Sequence, residues 1–424
     1  MTIGNQTIHT SLYIAKKLGQ ERKQGSRVVK TSSIIVMGSV ALSISVIIIA
    51  LSIVSGFRKE IRERATGFTG QIIVSPFGTD YMNDTYPLSV ELSYLPKILD
   101  CDNVSHIQYF AFRHGLIKTE EALQGVVIKG VGKEFDPSFF NSVLLKGKFP
   151  QRNDSIQVLE LLISKRMSEA LKLDVSQSAD VYFIDQSTLR ARPRRFVISG
   201  IYDATLEEFD KLLAIGDIKV VQQLNGWEPT LVGGFELMLH HPTRMEQTAS
   251  EIREIASLFS TQDDPPLSIQ TVKDLFAHLF DWLNLIDMNL LIVLILMMAV
   301  AGVNMISGLL IMLFDKTSMI GLLKALGMKN REIRLTFIYR MSTLILWGMC
   351  IGNAIALVLC LIQKKFSLIT LDQANYAVSS VPIDLNVWSI TLMNIVSMLL
   401  ILAFITSASM MVTRISPERS LRKK

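Results

Sequence analysis

Three kinds of chemistry come close to having their residues in this sequence, and each fails on spacing. A phosphate loop needs G-x-x-x-x-G-K-[ST], in which backbone amides cradle the phosphates and the lysine reaches them. Residues 125–134 read GVVIKGVGKE, but Val131 follows the second glycine and Glu134 follows the lysine, so no such loop forms. A metal site needs imidazole, thiolate or carboxylate groups that converge. His240 and His241 are adjacent, which in a strand points them to opposite sides, so a surface turn is the better reading. Cys101, Cys350 and Cys360 are scattered and fit neither a disulfide framework nor a zinc site. Acid–base catalysis needs paired carboxylates; residues 202–210, YDATLEEFD, are acidic but read as a solvated face or turn. No H-E-x-x-H or G-x-S-x-G occurs. The sequence offers no catalytic residue, no metal site and no cofactor site, and any energy that the protein uses is expected from another chain.

The apolar residues say more. Of 424 residues, 49% are hydrophobic and 19% charged, the latter below the usual quarter. Uncharged runs cover residues 31–57, 288–314, 341–363 and 385–413. A helix needs about 20 such residues to cross a bilayer, so the expected fold is an α-helical membrane protein with four transmembrane helices. The first run is too long for a signal-peptide core, and SIVSGFRKE offers no small-x-small cleavage site, so it reads as an uncleaved anchor. Asn304 and Asn353 are expected to bond to neighbouring helices. Gly38, Ala41, Ser43 and Ser45 are expected to permit close helix approach. No acid or base inside a run marks an ion path, which disfavours a proton- or sodium-driven carrier.

The intervals between runs set an orientation. Residues 1–30 carry six Lys/Arg against one acid, residues 315–340 six against two, and residues 414–424 five against one. The long interval 58–287 holds 24 basic and 32 acidic residues. Short positive loops stay in the cytoplasm, so these three segments, both termini included, are expected inside. The domain 58–287 and the loop 364–384 are expected outside. Within 1–30, Ile8, Leu12 and Ala15 share one helical face, as in an interfacial amphipathic helix; a disordered basic tail is the alternative.

The large interval reads as α+β. Short β-rich runs lie at 71–75, 106–112, 125–131, 180–184, 195–201 and 234–239. Helical periodicity marks 159–173 and 247–259. FRKEIRER at 57–64 and VKDLFAHLFDWLNLID at 272–287 are expected to continue the first two spans as helical stalks.

One short segment combines charge, apolar spacing and a turn. Residues 315–334, DKTSMIGLLKALGMKNREIR, sit between the second and third runs. On a helical wheel Met319, Leu322, Leu323 and Leu326 fall within about 100°. Thr317, Ser318, Gly321, Lys324 and Ala325 make the opposite, mostly small face, which can fit closely into another protein's groove. Gly327 is a natural helix terminator, and Asn330 followed by Glu332 resembles an N-cap with a first-turn acid. A short helix, a turn and the start of the third span follow. An ordinary juxtamembrane helix resting on lipid fits the same residues.

DKTSMIGLLKALGMKNREIRLTFIYRMSTLI also resembles the coupling-helix region of FtsX/MacB-superfamily permeases, an acid–Lys pair followed by xxIxxLxxLGxxxxxIxxxF. Ile320, Leu323, Leu326, Gly327, Ile333 and Phe337 hold the matching positions. The resemblance narrows to the lipoprotein-releasing permease family, LolC/LolE. LSIVSGFRKEIRERATGFTGQIIV is similar to the family's SVMNGFxxELRxRILGFxPHxxV, with Gly56, Phe57, Glu60, Arg62, Arg64, Gly67 and Phe68 aligned. VVIKGVGKEFDPS, RPRRFVISGIYDATLEEFD and AVSSVPIDL resemble further family segments, although GKEFDPS departs from the family's frequent acidic GVDP. The resemblance covers about residues 10–422.

It implies a type VII ABC permease: two permease chains, as a homo- or heterodimer, with two copies of a separate ATPase. The large domain becomes an extracytoplasmic porter-like lobe with a second lobe inserted at about 135–232. The implied mechanism is mechanotransmission, in which closure of the ATPase inside moves the lobes outside. In this family it extracts acylated lipoproteins and hands them to a periplasmic chaperone. The chain is then expected to be a multi-pass protein of the bacterial inner membrane and not an enzyme. Lipoprotein cargo, chaperone and membrane lipid are its expected partners, and nucleic acid is not. Asp315, Lys316, Ser318, Gly321, Lys324, Ala325 and Gly327 are expected to couple to the ATPase. Met288, Met297, Met298 and Met305, together with Met312, are expected to form an adaptable apolar wall toward lipid or cargo. Residues 185–195, DQSTLRARPRR, read on their own as a hairpin tip. They also resemble a chaperone-capturing loop, in which Arg190, Arg192, Pro193, Arg194 and Arg195 make the contact. An FtsX-like signalling subunit acting on a cell-wall hydrolase and a MacB-like efflux component are the alternatives. The large outer domain argues against the first and the lack of a fused ATPase against the second.

Overall fold

The computed structural model describes residues 27–82, 86–120, 122–151, 159–184, 190–259, 264–371 and 378–410. The amphipathic helix expected around Ile8 and Leu12 and the tail 414–424 lie outside the described residues. The chain divides into two compact units: residues 1–59, 283–370 and 380–424, and residues 60–282 with 371–379.

The first unit is helical. Arg27–Thr69, Ala277–Asp315, Asn330–Phe366 and Val387–Ala408 are long helices, and each is long and apolar enough to cross a membrane. Their shared core includes Val40, Ile47, Met305, Leu309, Met341, Ile345 and Ile401. Charges at the ends of the uncharged runs find one another: Arg58 pairs with Asp287, and Lys59 lies 3.8 Å from Asp384. Close approach comes from the third helix. A Cβ at Gly352 would lie 2.6 Å from the Ala41 carbonyl oxygen, and one at Gly348 would lie 2.9 Å from that of Met37. This is G-x-x-x-G packing, unnoticed in the sequence although GMCIG is plain to read. Gly38, expected at such a contact, faces open space, whereas Ser43 and Ser45 are buried.

Asn353 and Asn394 join the third and fourth helices by a reciprocal amide pair. Each Nδ2 donates to the other's Oδ1 at 2.9 Å, and each also donates to the carbonyl four residues back in its own helix. Asn353 thus bonds as its type and setting suggested. Asn304 has no hydrogen-bond partner among the described residues.

The second unit is built on strands β1 (Ile72–Pro76), β2 (Leu88–Ser89), β3 (Val104–Lys118), β4 (Leu123–Val131), β5 (Leu144–Gly147), β6 (Glu160–Ser164), β7 (Ser178–Ile184), β8 (Ala191–Tyr202), β9 (Leu213–Asp217), β10 (Leu231–Val232), β11 (Gly234–Leu239) and β12 (Leu267–Thr271). Ten of them form one sheet in the order β12-β1-β11-β3-β4-β9-β6-β8-β5, and β7 pairs with both β3 and β8. The ladder β3-β4-β9-β6-β8-β7 therefore closes on itself. Pairs β4–β9 and β6–β8 are parallel. The segment expected as an inserted lobe, 135–232, supplies β5 to β9 of this same sheet.

One local reading changes. Residues 159–173 are not one helix: Glu160–Ser164 is strand β6, and only Lys165–Leu171 is helical. Leu161, Leu162 and Ile163 are fully buried, and a short apolar run of this kind cannot be told from a buried helix by periodicity. Ser164 makes the switch by accepting the Met167 N–H at 3.0 Å. Phe68, from the end of the first long helix, stacks on Phe209 at 4.1 Å and meets Phe139 and Phe140 edge-on. One turn earlier, Arg64 bonds to Glu60 at 2.7 Å and donates to the Ala204 carbonyl and the Thr205 hydroxyl.

Candidate functional site

The segment between the second and third long helices folds as its own short helix, Thr317–Ala325. Gly327 ends it at φ +88°, where a side chain would be strained. The Gly327 N–H donates to the Lys324 carbonyl and the Met328 N–H to that of Leu323, both at 3.0 Å; this is the Schellman turn. Asn330 is the first residue of the next helix, with Lys329 before it as N-cap, so the expected cap shifts by one. The Glu332 carboxylate accepts the Lys329 N–H at 3.3 Å.

The two faces of this short helix differ from the wheel. Ile320 and Gly321 are buried, and Thr317, Met319, Leu323 and Lys324 are half-buried. Ser318, Leu322, Ala325, Leu326 and Gly327 are exposed. Gly321 therefore packs within this chain, and two leucines of the supposed lipid stripe join Ser318 and Ala325 on the open face. Asp315 and Lys316 form a partly hidden ion pair at 3.8 Å.

The methionines do not make one wall. Met288 is 63% exposed, Met297 is half-buried, and Met298, Met305 and Met312 belong to the helical core. Residues i, i+7 and i+14 stay on one helical stripe, and here that stripe faces the first, third and fourth helices.

The arginines lie largely on a strand. β8 begins at Ala191, and Arg192–Arg195 pair with Asp180–Phe183 of β7. All of 190–195 are exposed. Arg195 makes a two-pronged contact with Asp180 at 2.9 and 3.2 Å, which holds the Asp180 carboxyl below its ordinary value. Alternation puts Arg192 and Arg194 on one side of the strand and Pro193 and Arg195 on the other. Residues 185–189 at the turn lie outside the described residues.

The residues that nearly spelled out catalysis are structural. GVVIKGV is the interior of β4, and its Lys129 is buried against Glu236 at 2.6 Å. Gln108 donates to the other Glu236 oxygen and Tyr81 to the first, each at 2.8 Å, so the carboxylate is held by three donors. Burial lowers the Lys129 amine below its ordinary value, and Glu236 offsets part of that. The single lysine inside an apolar run was the available signal. His240 and His241 follow the end of β11 and are exposed. Among the described residues no group of three or more His, Cys, Asp or Glu can hold a metal. In YDATLEEFD, Asp210 is buried, its Oδ1 without a hydrogen bond. Burial first, and then Asp203, pushes its carboxyl up to about 7.

The FtsX-like permease C-terminal family model matches residues 291–417, which hold the short helix, the third and fourth long helices and most of the second. The chain is 23% identical over 417 residues to the lipoprotein-releasing system transmembrane protein LolC of Xylella fastidiosa, covering 90% of this chain and 92% of that one. It is 24% identical over 340 residues to the lipoprotein-releasing system transmembrane protein LolE of Haemophilus influenzae, covering 77% of each. The periplasmic region of MacB from Actinobacillus actinomycetemcomitans aligns at 9% identity and TM-score 0.34, over 52% of this chain and 96% of that one.

Proposed function

We infer that this FtsX-like permease, similar along nine tenths of its length to a LolC protein, is the membrane subunit of an ABC transporter and releases lipoproteins from the inner membrane. One observation carries the reading: a separate short helix between two membrane-length helices, closed at Gly327, with Ser318, Leu322, Ala325 and Leu326 open to a partner. A separate ATPase docks there, and Asp315, Lys316 and Lys324 set its charge. Gly321 supports the helix from behind. A second permease chain completes the pair. Both termini lie in the cytoplasm, and the α+β unit lies outside. ATP-driven closure inside moves that unit, so the work is mechanical. Withdrawing an acyl chain costs about 0.8 kcal/mol per CH₂, which is why ATP is needed, and Met288 offers an adaptable apolar surface near the bilayer rim. Arg190, Arg192 and Arg194 meet an acidic chaperone that takes the cargo.

Purification of the chain from its native membrane tests the reading. An ATPase and acylated proteins should co-purify, and proteoliposomes holding the complex should release a lipoprotein to a soluble carrier only with ATP. Co-purification of a cell-wall hydrolase, with no ATP-dependent release, would overturn it.

A further inference from the structure

We propose that the α+β unit binds a phosphate-bearing ligand, a phospholipid headgroup or free phosphate, between Arg62 and Lys273. A pocket of about 210 Å³ opens there, lined also by Thr66, Thr243, Met245 and Phe280. It is smaller than the roughly 300 Å³ at which pockets for drug-sized ligands begin, so it suits a headgroup and not a whole lipid. The lining brings two cations, the Gln71 amide and the Thr243 hydroxyl but no carboxylate, while the Thr66 hydroxyl donates to the Arg62 carbonyl at 2.8 Å.

Place along the helix points to lipid as the source. Arg62 comes five residues after Phe57, the last of the first uncharged run, which on a continuous helix is about 7.5 Å. The headgroup layer spans roughly 5–8 Å beyond the hydrocarbon on each side. Phe280 and Trp282 precede the second run, where aromatic side chains favour the membrane–water boundary. One group competes for the site: Glu246 holds Lys273 at 3.2 Å. The inference needs the chain to span a membrane but is independent of which cargo it handles.

The full-length chain in neutral detergent is titrated with short-chain phosphatidylglycerol and, separately, with inorganic phosphate, following the concentration dependence of its melting temperature. Lys273→Gln, at a half-exposed position that folding tolerates, should weaken binding about fivefold, the share of one cation near an anionic headgroup. Glu246→Gln should tighten it, because Lys273 is released. A response to the lipid alone assigns a headgroup, and a response to phosphate alone assigns the free anion. Equal affinity in wild type and both variants overturns the site.

Discussion

Asp210 carries the clearest charge cost in the described α+β unit. Its carboxyl is buried with one oxygen unbonded, beside Asp203 and near the Arg64 that grips the Ala204 carbonyl. Its folded value, about 7, stands above the ordinary 3.8. The folded chain therefore favours the protonated form, and stability falls as pH rises from about 4 to 7. Asp210→Asn removes that penalty. The variant should match wild type near pH 3, below the ordinary carboxyl value, and exceed it at pH 8 by up to about 4 kcal/mol, at 1.36 kcal/mol per unit. Denaturant midpoints of the full chain in detergent across that range decide it; a gap that does not change with pH would reject the account. Lys129 is the contrasting case, since its charge is paired and its partner satisfied. No reading of the sequence could supply Glu236, which lies 107 residues away.

At the scale of elements, the short helix separates two kinds of residue that the wheel had merged. Leu322→Glu with Leu326→Glu changes only the open face. It should abolish ATPase stimulation and association while leaving the amount of chain in the membrane unchanged. Gly321→Leu puts bulk into a buried position and should instead lower stability, by about 1–3 kcal/mol for overpacking. Full coupling in the leucine pair variant would remove this helix from the ATPase interface. Spans and most strands were legible because length and β-branched runs are local signals. The helix expected at 159–173 was misread because strand pairing is not a local signal, while the arginines expected in a loop lie mostly on β8. Which backbone neighbour β6 pairs with, here β8, is decided by chain distant in sequence, whereas the arginines pair with β7 across a short hairpin. The methionine stripe was ambiguous in another way, since a stripe says that a face is apolar but not whether protein or lipid covers it.

At the scale of the molecule, the orientation rests on a charge imbalance that labelling can read. A single cysteine at Ser178, exposed on β7, should react with an impermeant maleimide in intact spheroplasts. One at Lys329, exposed before the third helix, should react only after permeabilisation. Labelling at Lys329 in intact cells would invert the topology and remove the ATPase from the short helix. Wherever the ends lie, the reciprocal amides of Asn353 and Asn394 limit how the helices can move. All four amide donors are committed, and hydrocarbon offers no water to replace a lost partner. Sliding by a fraction of a turn would break both cross-links at once, so the contact behaves as a detent, engaged or empty with nothing between. The third and fourth helices then travel as one rigid piece in any working stroke, and bending must be taken up elsewhere.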